Sequence, residues 1–202
     1  FAGCRFALAG VLVILFGAVL QRTFLKPGRT AIAKIIKISL LQTVLQYFFF
    51  YVGLAHTTGV KGSIVEASNV FLSILVSSLL FRMEKLDAKK IIGCMIGFAG
   101  VVIINLSGND VSMSFNLMGD GFVFISALAY AFSSVLIKKY SQTENPVMLS
   151  GYQFLLGGII MVAGATAAGG RLTAVSVKGG MLLLYMALIS AVAYTLWGIL
   201  LK

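Results

Sequence analysis

Residues 179–201 read GGMLLLYMALISAVAYTLWGILL, without a single Asp, Glu, Lys or Arg. A helix needs about 20 predominantly apolar residues to cross the hydrocarbon core of a bilayer. The stretch is too long for a barrel strand and lacks period-two alternation. It reads as a membrane-spanning helix, and six runs of the same kind precede it. They are Phe1–Leu20, Ile38–Ala55, Gly62–Phe81, Ile91–Leu106, Gly121–Ile137 and Val147–Ala168. The fourth and fifth are slightly short and are expected to borrow flanking residues.

Composition agrees with lipid as the solvent. The 202 residues are 59% hydrophobic and 11% charged, with a mean hydropathy of +1.02. A soluble domain carries roughly 25% charged residues, enough to cover its surface. The net charge of +10 would suggest nucleic acid in a soluble chain. Here the basic residues lie almost wholly between apolar runs, so no nucleic-acid partner is expected.

Those residues set an orientation. Arg22, Lys26, Arg29, Lys34 and Lys37 fall in the connector 21–37, and Arg82, Lys85, Lys89 and Lys90 in 82–90. Lys138, Lys139 and Lys202 lie on the same side, which makes twelve. The opposite side holds four, Arg5, Lys61, Arg171 and Lys178. Basic connectors stay cytoplasmic, which places residue 1 outside and residue 202 inside.

The run Ala2–Gly10, AGCRFALAG, aligns with Ser150–Gly158, SGYQFLLGG, at an offset of 148. Tyr47-x-x-Phe50 aligns with Tyr194-x-x-Trp197 at an offset of 147. The first helix thus pairs with the sixth and the second with the seventh. A five-helix repeat must insert its second copy upside down, the plan of many transporters with a site near the midplane. The expected fold is all-α and integral to the membrane: seven helices of a ten-helix bundle built from two inverted five-helix repeats. Residues 1–106 would supply helices two to five of the first repeat, and 120–202 the first three of the second. The start at Phe1, without Met and inside an apolar run, fits an internal piece of a longer chain. The 202 residues alone are then expected to be inactive.

Several segments resemble the EamA-type members of the drug/metabolite transporter superfamily. Gly3-Cys4-Arg5-Phe6 resembles the opening of that family's second helix, and Tyr47–Thr58 its third helix and exit. Phe81–Leu86 is similar to the turn after the fourth helix, and Gly93-x-x-x-Gly97-x-x-Gly100-Val101 to the fifth. Gly119-Asp120-Gly121 with Ala127–Ala131 is similar to the start of the second half. Asn69 stands where members often carry a proline, which leaves a mid-helix kink without its usual cause. The resemblance implies a secondary transporter moving a small metabolite, an amino acid or related solute, with export favoured, across a bacterial inner membrane. The alternative is a non-transporting polytopic scaffold or accessory subunit.

Glu66 is the sharpest candidate for chemistry. A carboxylate at the bilayer centre costs roughly 2.5–3.5 kcal/mol on insertion scales, so it should face the bundle or take a proton. Gly59, Gly62, Glu66, Asn69, Ser73 and Ser77 share one helical face. Glu66 and Asn69 read either as part of a proton or substrate pathway or, for Glu66, as the ion-pair partner of Arg5. Arg5 itself would pair, snorkel to the headgroups or attract an anionic solute. Gln46, Tyr47 and Tyr51 on the second helix, Tyr194 and Trp197 on the seventh, and Tyr130 on the fifth are candidate cavity aromatics and amides; packing is their structural alternative. Ser133, Ser134, Tyr152 and Gln153 are weaker candidates of the same kind.

Gly3, Ala7 and Gly10, and Gly93, Gly97 and Gly100, are expected to let helices approach closely. Asp120 reads as a helix cap, His56 as interfacial, and Glu84 and Asp87 as tempering a basic turn. Two unpaired-looking cysteines, Cys4 and Cys94, and one histidine indicate neither disulfide nor metal site. Hydrolase, protease and nucleotide-binding motifs are lacking, so neither an enzyme nor a cofactor is expected. The expected partners are the lipid bilayer and a small solute, coupled to protons if Glu66 titrates, with homo-oligomer formation left open.

Overall fold

A computed structural model describes residues 1–22, 24–83, 85–106, 116–170 and 176–200. The charge readings at Glu84, Arg171 and Lys202 lie outside the described residues. All regular structure among the described residues is helical. Helix α1 spans Ala2–Gln21. Helix α2 (Arg29–Ile38) passes through a π-helical stretch, π1 (Ser39–Leu45), into α3 (Gln46–Ala55). Helix α4 (Gly59–Ala67) is followed by α5 (Asn69–Leu75) and π2 (Val76–Leu80). Helix α6 is Ala88–Leu106. A π-helical turn, π3 (Leu117–Gly121), leads into α7 (Phe122–Ser141), followed by α8 (Pro146–Ala167) and α9 (Val177–Leu200).

Six of these helical spans are long and apolar enough to cross a membrane. The remaining one, α6, is 19 residues long and opens with Lys89 and Lys90. The chain is therefore a multi-pass helical membrane protein. The second span begins at Arg29, well before the expected Ile38, so the connector 21–37 is helical over its second part. Hydropathy ends at the lysines, but Ala31, Ile35 and Ile38 fall at helical spacing and are buried. Arg29, Lys34 and Lys37 are carried on the rest of that amphipathic turn.

The chain forms two compact units, Phe1–Val44 with Leu136–Lys202, and Leu45–Val135. In the first, α1 packs antiparallel on α8 through its small residues. A Cβ on Gly3 would lie 2.9 Å from the Val162 nitrogen and 3.0 Å from the Gly158 oxygen. One on Gly10 would lie 2.7 Å from the Gly151 oxygen, and one on Gly158 would collide with the Ala7 backbone. The expected close approach at Gly3, Ala7 and Gly10 is thus made. The contacts have an internal symmetry. The offset of 148 exchanges Gly3 with Gly151 and Gly10 with Gly158, so the Gly3–Gly158 contact maps onto Gly151–Gly10. Phe6 maps onto Phe154, and these two rings stack on each other at 5.4 Å with planes 16° apart.

Helix starts and stops have local causes. Asn145 caps α8 by accepting from the Val147 and Met148 amides, with Pro146 at the first helical position. Its Nδ2 donates to Gln21 Oε1 at 2.8 Å. Lys34 Nζ donates to Glu144 Oε1 at 2.7 Å and Thr143 Oγ1 at 3.0 Å. Together these fasten α1 and α2 to the turn before α8. Arg22 and Arg82 end their helices with φ near +50°, a conformation that non-glycine residues rarely take.

In the second unit, α3 crosses π3 where two glycines meet backbone. A Cβ on Gly119 would lie 2.6 Å from the His56 oxygen, and one on Gly53 2.8 Å from the Val123 nitrogen. Asp120 is not the cap expected from the sequence. Asn116 caps π3 by accepting from the Met118 and Gly119 amides. Asp120 instead accepts the Thr57 hydroxyl and the Asn116 N–H, tying the α3–α4 turn to the start of α7. His56 is exposed in that turn, and its backbone oxygen accepts from Asn116 Nδ2 at 2.9 Å.

Two further expectations change here. The third span is interrupted at Ser68 without a proline. The Ser68 hydroxyl donates to the Val65 oxygen at 2.6 Å, and its amide bonds the same carbonyl at 3.0 Å. Serine back-bonding of this kind bends helices. The Gly93, Gly97 and Gly100 face is open among the described residues: a Cβ on any of them would meet nothing within 4 Å. The small-residue pattern permits close approach but does not supply the partner.

Candidate functional site

Glu66 lies in the last turn of α4, just before the Ser68 interruption. It is half-buried in a membrane-spanning segment. Asn69 Nδ2 donates to Oε1 at a long 3.4 Å. Oε2 is buried and has no hydrogen-bond partner among the described residues. Tyr130 of α7, also half-buried, is within electrostatic reach of the carboxylate. The fold therefore brings together three residues singled out from the sequence, Glu66, Asn69 and Tyr130. The stripe continues below them: Ser73 Oγ donates to the Asn69 oxygen at 2.7 Å, and Ser77 is buried with a hydroxyl that lacks a partner among the described residues. Val76 beside it packs with Ala131 and Val135 of α7. This arrangement can accept a proton or a hydrogen-bond donor inside the membrane.

Gln46, Tyr47 and Tyr51 sit on α3. Gln46 is buried, and its Oε1 has no partner among the described residues. Tyr47 is half-buried and lies 6.1 Å from the Tyr51 ring and 6.5 Å from Phe50. Tyr51 is exposed.

Tyr194 and Trp197 belong to α9 in the other unit. Tyr194 meets Phe154 edge-on at 4.8 Å, and its backbone oxygen accepts from Ser150 Oγ at 3.5 Å. It thus joins the Phe6–Phe154 stack. Trp197 is exposed. Arg5 is 9% exposed, with its guanidinium 4.3 Å over the Phe6 ring. It is buried, with its guanidinium against that ring. Arg5 and Glu66 belong to different units.

One polar cluster was not singled out as a group by the sequence reading. Ser39, Gln42 and Thr43 on π1 are fully buried. Both amide atoms of Gln42, the two hydroxyls and Gln153 Oε1 have no partner among the described residues. A Cβ on Gly157 would lie 2.9 Å from Ser39 Oγ and collide with Thr43, so this face packs directly on α8. Gln153 is one turn away from Gly157 on that helix. The signal was present as the spacing 39, 42, 43, 46, one face of a helix. No group of three or more metal-ligating side chains occurs among the described residues.

The sequence pattern of the EamA-like transporter family matches residues 1–106 and 117–202. The chain belongs to the EamA-like transporter family. Similar proteins include archaeal ones that carry transporter names. An uncharacterized transporter of Methanothermobacter thermautotrophicus is 29% identical over 61% of this chain and 36% of its own length. A WAT1-related chloroplastic protein of Arabidopsis thaliana is 26% identical over 80% of this chain and 39% of its own. An uncharacterized transporter of Archaeoglobus fulgidus is 27% identical over 96% of this chain and 66% of its own. The chain spans between about a third and two thirds of the length of these relatives. No solved structure matches it.

Proposed function

We propose that this EamA-family protein is a secondary transporter that exports a small polar metabolite, an amino acid or related solute, across a bacterial inner membrane. One observation carries the reading: the Glu66 carboxylate is half-buried within a membrane span, has an oxygen without a partner among the described residues, accepts from Asn69 and has Tyr130 within electrostatic reach. A carboxylate kept at that depth with spare acceptor capacity suits a group that takes up and releases a proton or a solute ammonium. Proton coupling through Glu66 is part of the proposal. Gln46, Tyr47, Tyr51, Tyr194 and Trp197 are proposed to line the solute's path, and Arg5 is proposed as an ion-pair partner of Glu66.

The proposed mechanism is alternating access in a ten-helix bundle of two inverted repeats. The exchange symmetry of the α1–α8 contact and the Phe6–Phe154 stack support that plan. The test is metabolite export by bacteria expressing the full-length protein, its Glu66→Gln variant or an empty vector, at two external pH values. Glutamine keeps the shape and removes the charge. A defined set of metabolites should rise in the medium only with wild type, and the variant should lose both export and pH dependence. Equal export by both forms would make Glu66 structural. No change in the medium with correctly inserted protein would favour import or a non-transporting role.

A further inference from the structure

We propose that the groove between α5 and α6 is a binding site for an anionic phospholipid of the leaflet on the basic side of the membrane. The groove has a volume of about 550 Å³ and lies wholly within the second unit. Helix α6 packs mainly against α4 and only lightly against α5, so the hairpin parts toward the end where α6 begins. Val70, Phe71 and Ile74 form one wall, and Gly93, Gly97 and Phe98 the other. Because a Cβ on either glycine would meet nothing within 4 Å, the glycine wall is open among the described residues and has room for an acyl chain.

What selects the occupant is charge. Lys89 and Lys90 also line the groove, in the first turn of α6. Arg82 and Lys85 stand exposed in the adjoining turn. An apolar slot with paired ammonium groups at one end matches the two chemistries of an anionic lipid: an acyl chain along the glycines and a phosphate at the lysines. Basic pockets between membrane helices on the cytoplasmic side recognise anionic headgroups in this way. A second helix of protein in the slot would instead bury two lysines, which favours lipid. The larger groove along α1 and α9, about 630 Å³, has no charged residue in its lining and gives no such basis for choosing an occupant.

The test is native mass spectrometry of the purified full-length protein, titrated with phosphatidylglycerol or phosphatidylcholine. Three forms are compared: wild type, the double variant Lys89→Gln/Lys90→Gln, and Gly97→Leu, which fills the slot. Wild type should retain phosphatidylglycerol over phosphatidylcholine. Loss of both lysines should weaken phosphatidylglycerol by roughly tenfold and leave phosphatidylcholine unchanged. Gly97→Leu should weaken both lipids. Equal phosphatidylglycerol retention by wild type and the lysine variant would overturn the proposal. Misfolding of Gly97→Leu together with unchanged lipid selectivity in the lysine variant would also overturn it, by showing that protein fills the slot.

Discussion

A single methyl group tests the α1–α8 contact. At Gly158 the added carbon would collide with the backbone of Ala7, which cannot swing aside as a side chain would. The helices must separate, and Gly158→Ala is expected to destabilise the protein by about 1–3 kcal/mol. The same change at Gly97 meets nothing within 4 Å and should shift stability by no more than about 0.5 kcal/mol. Thermal unfolding in detergent of the two variants checks the pair, and equal effects would refute the contact. Sequence alone does not separate these glycines, since Gly97 belongs to a small-residue pattern and Gly158 aligns with Gly10 of another. Only the placement of a neighbour separates them.

At the scale of elements, π1 concentrates buried polarity. Gln42 is fully buried, and neither amide atom has a partner among the described residues. An unsatisfied buried polar group costs about 1–3 kcal/mol. Gln42→Leu, similar in volume, is therefore expected to raise the melting temperature while lowering export, the trade-off of a site kept polar for function. Paired melting and export assays check this. A fall in stability would mean that the amide is satisfied in the membrane, by water or solute. π-Helical turns recur at functional sites, which gives the location independent interest. The helices themselves were legible as apolar runs, but their internal irregularities were not. The break at Ser68 arises from a hydroxyl competing for the Val65 carbonyl, and serine in a helix does this only when its rotamer allows it. Asp120 likewise reads as a cap until Asn116 is seen to occupy that role, which frees the carboxylate for Thr57.

For the whole molecule, the distribution of basic residues fixes the orientation expected in the membrane. With Cys4 and Cys94 replaced, a cysteine at Lys178 should react with a membrane-impermeant maleimide on intact cells. One at Lys26 should react only after permeabilisation. The reverse pattern would invert the topology and move the groove at Lys89 and Lys90 to the outer leaflet.

The sequence by itself determined the solvent, the helical class and the family, because each follows from local composition and spacing. Lipid exposure requires long uncharged runs, and spacing along a helix is fixed by its pitch. The tertiary structure alone decided which residues meet. It brought Tyr130 within electrostatic reach of Glu66, stacked Phe6 on Phe154, seated Gly157 against Ser39 and Thr43, and left Gly93 and Gly97 open among the described residues. Those outcomes depend on where a second helix passes, and in a membrane that is governed by close packing and polar contacts between helices rather than by hydrophobicity, which lipid and protein share.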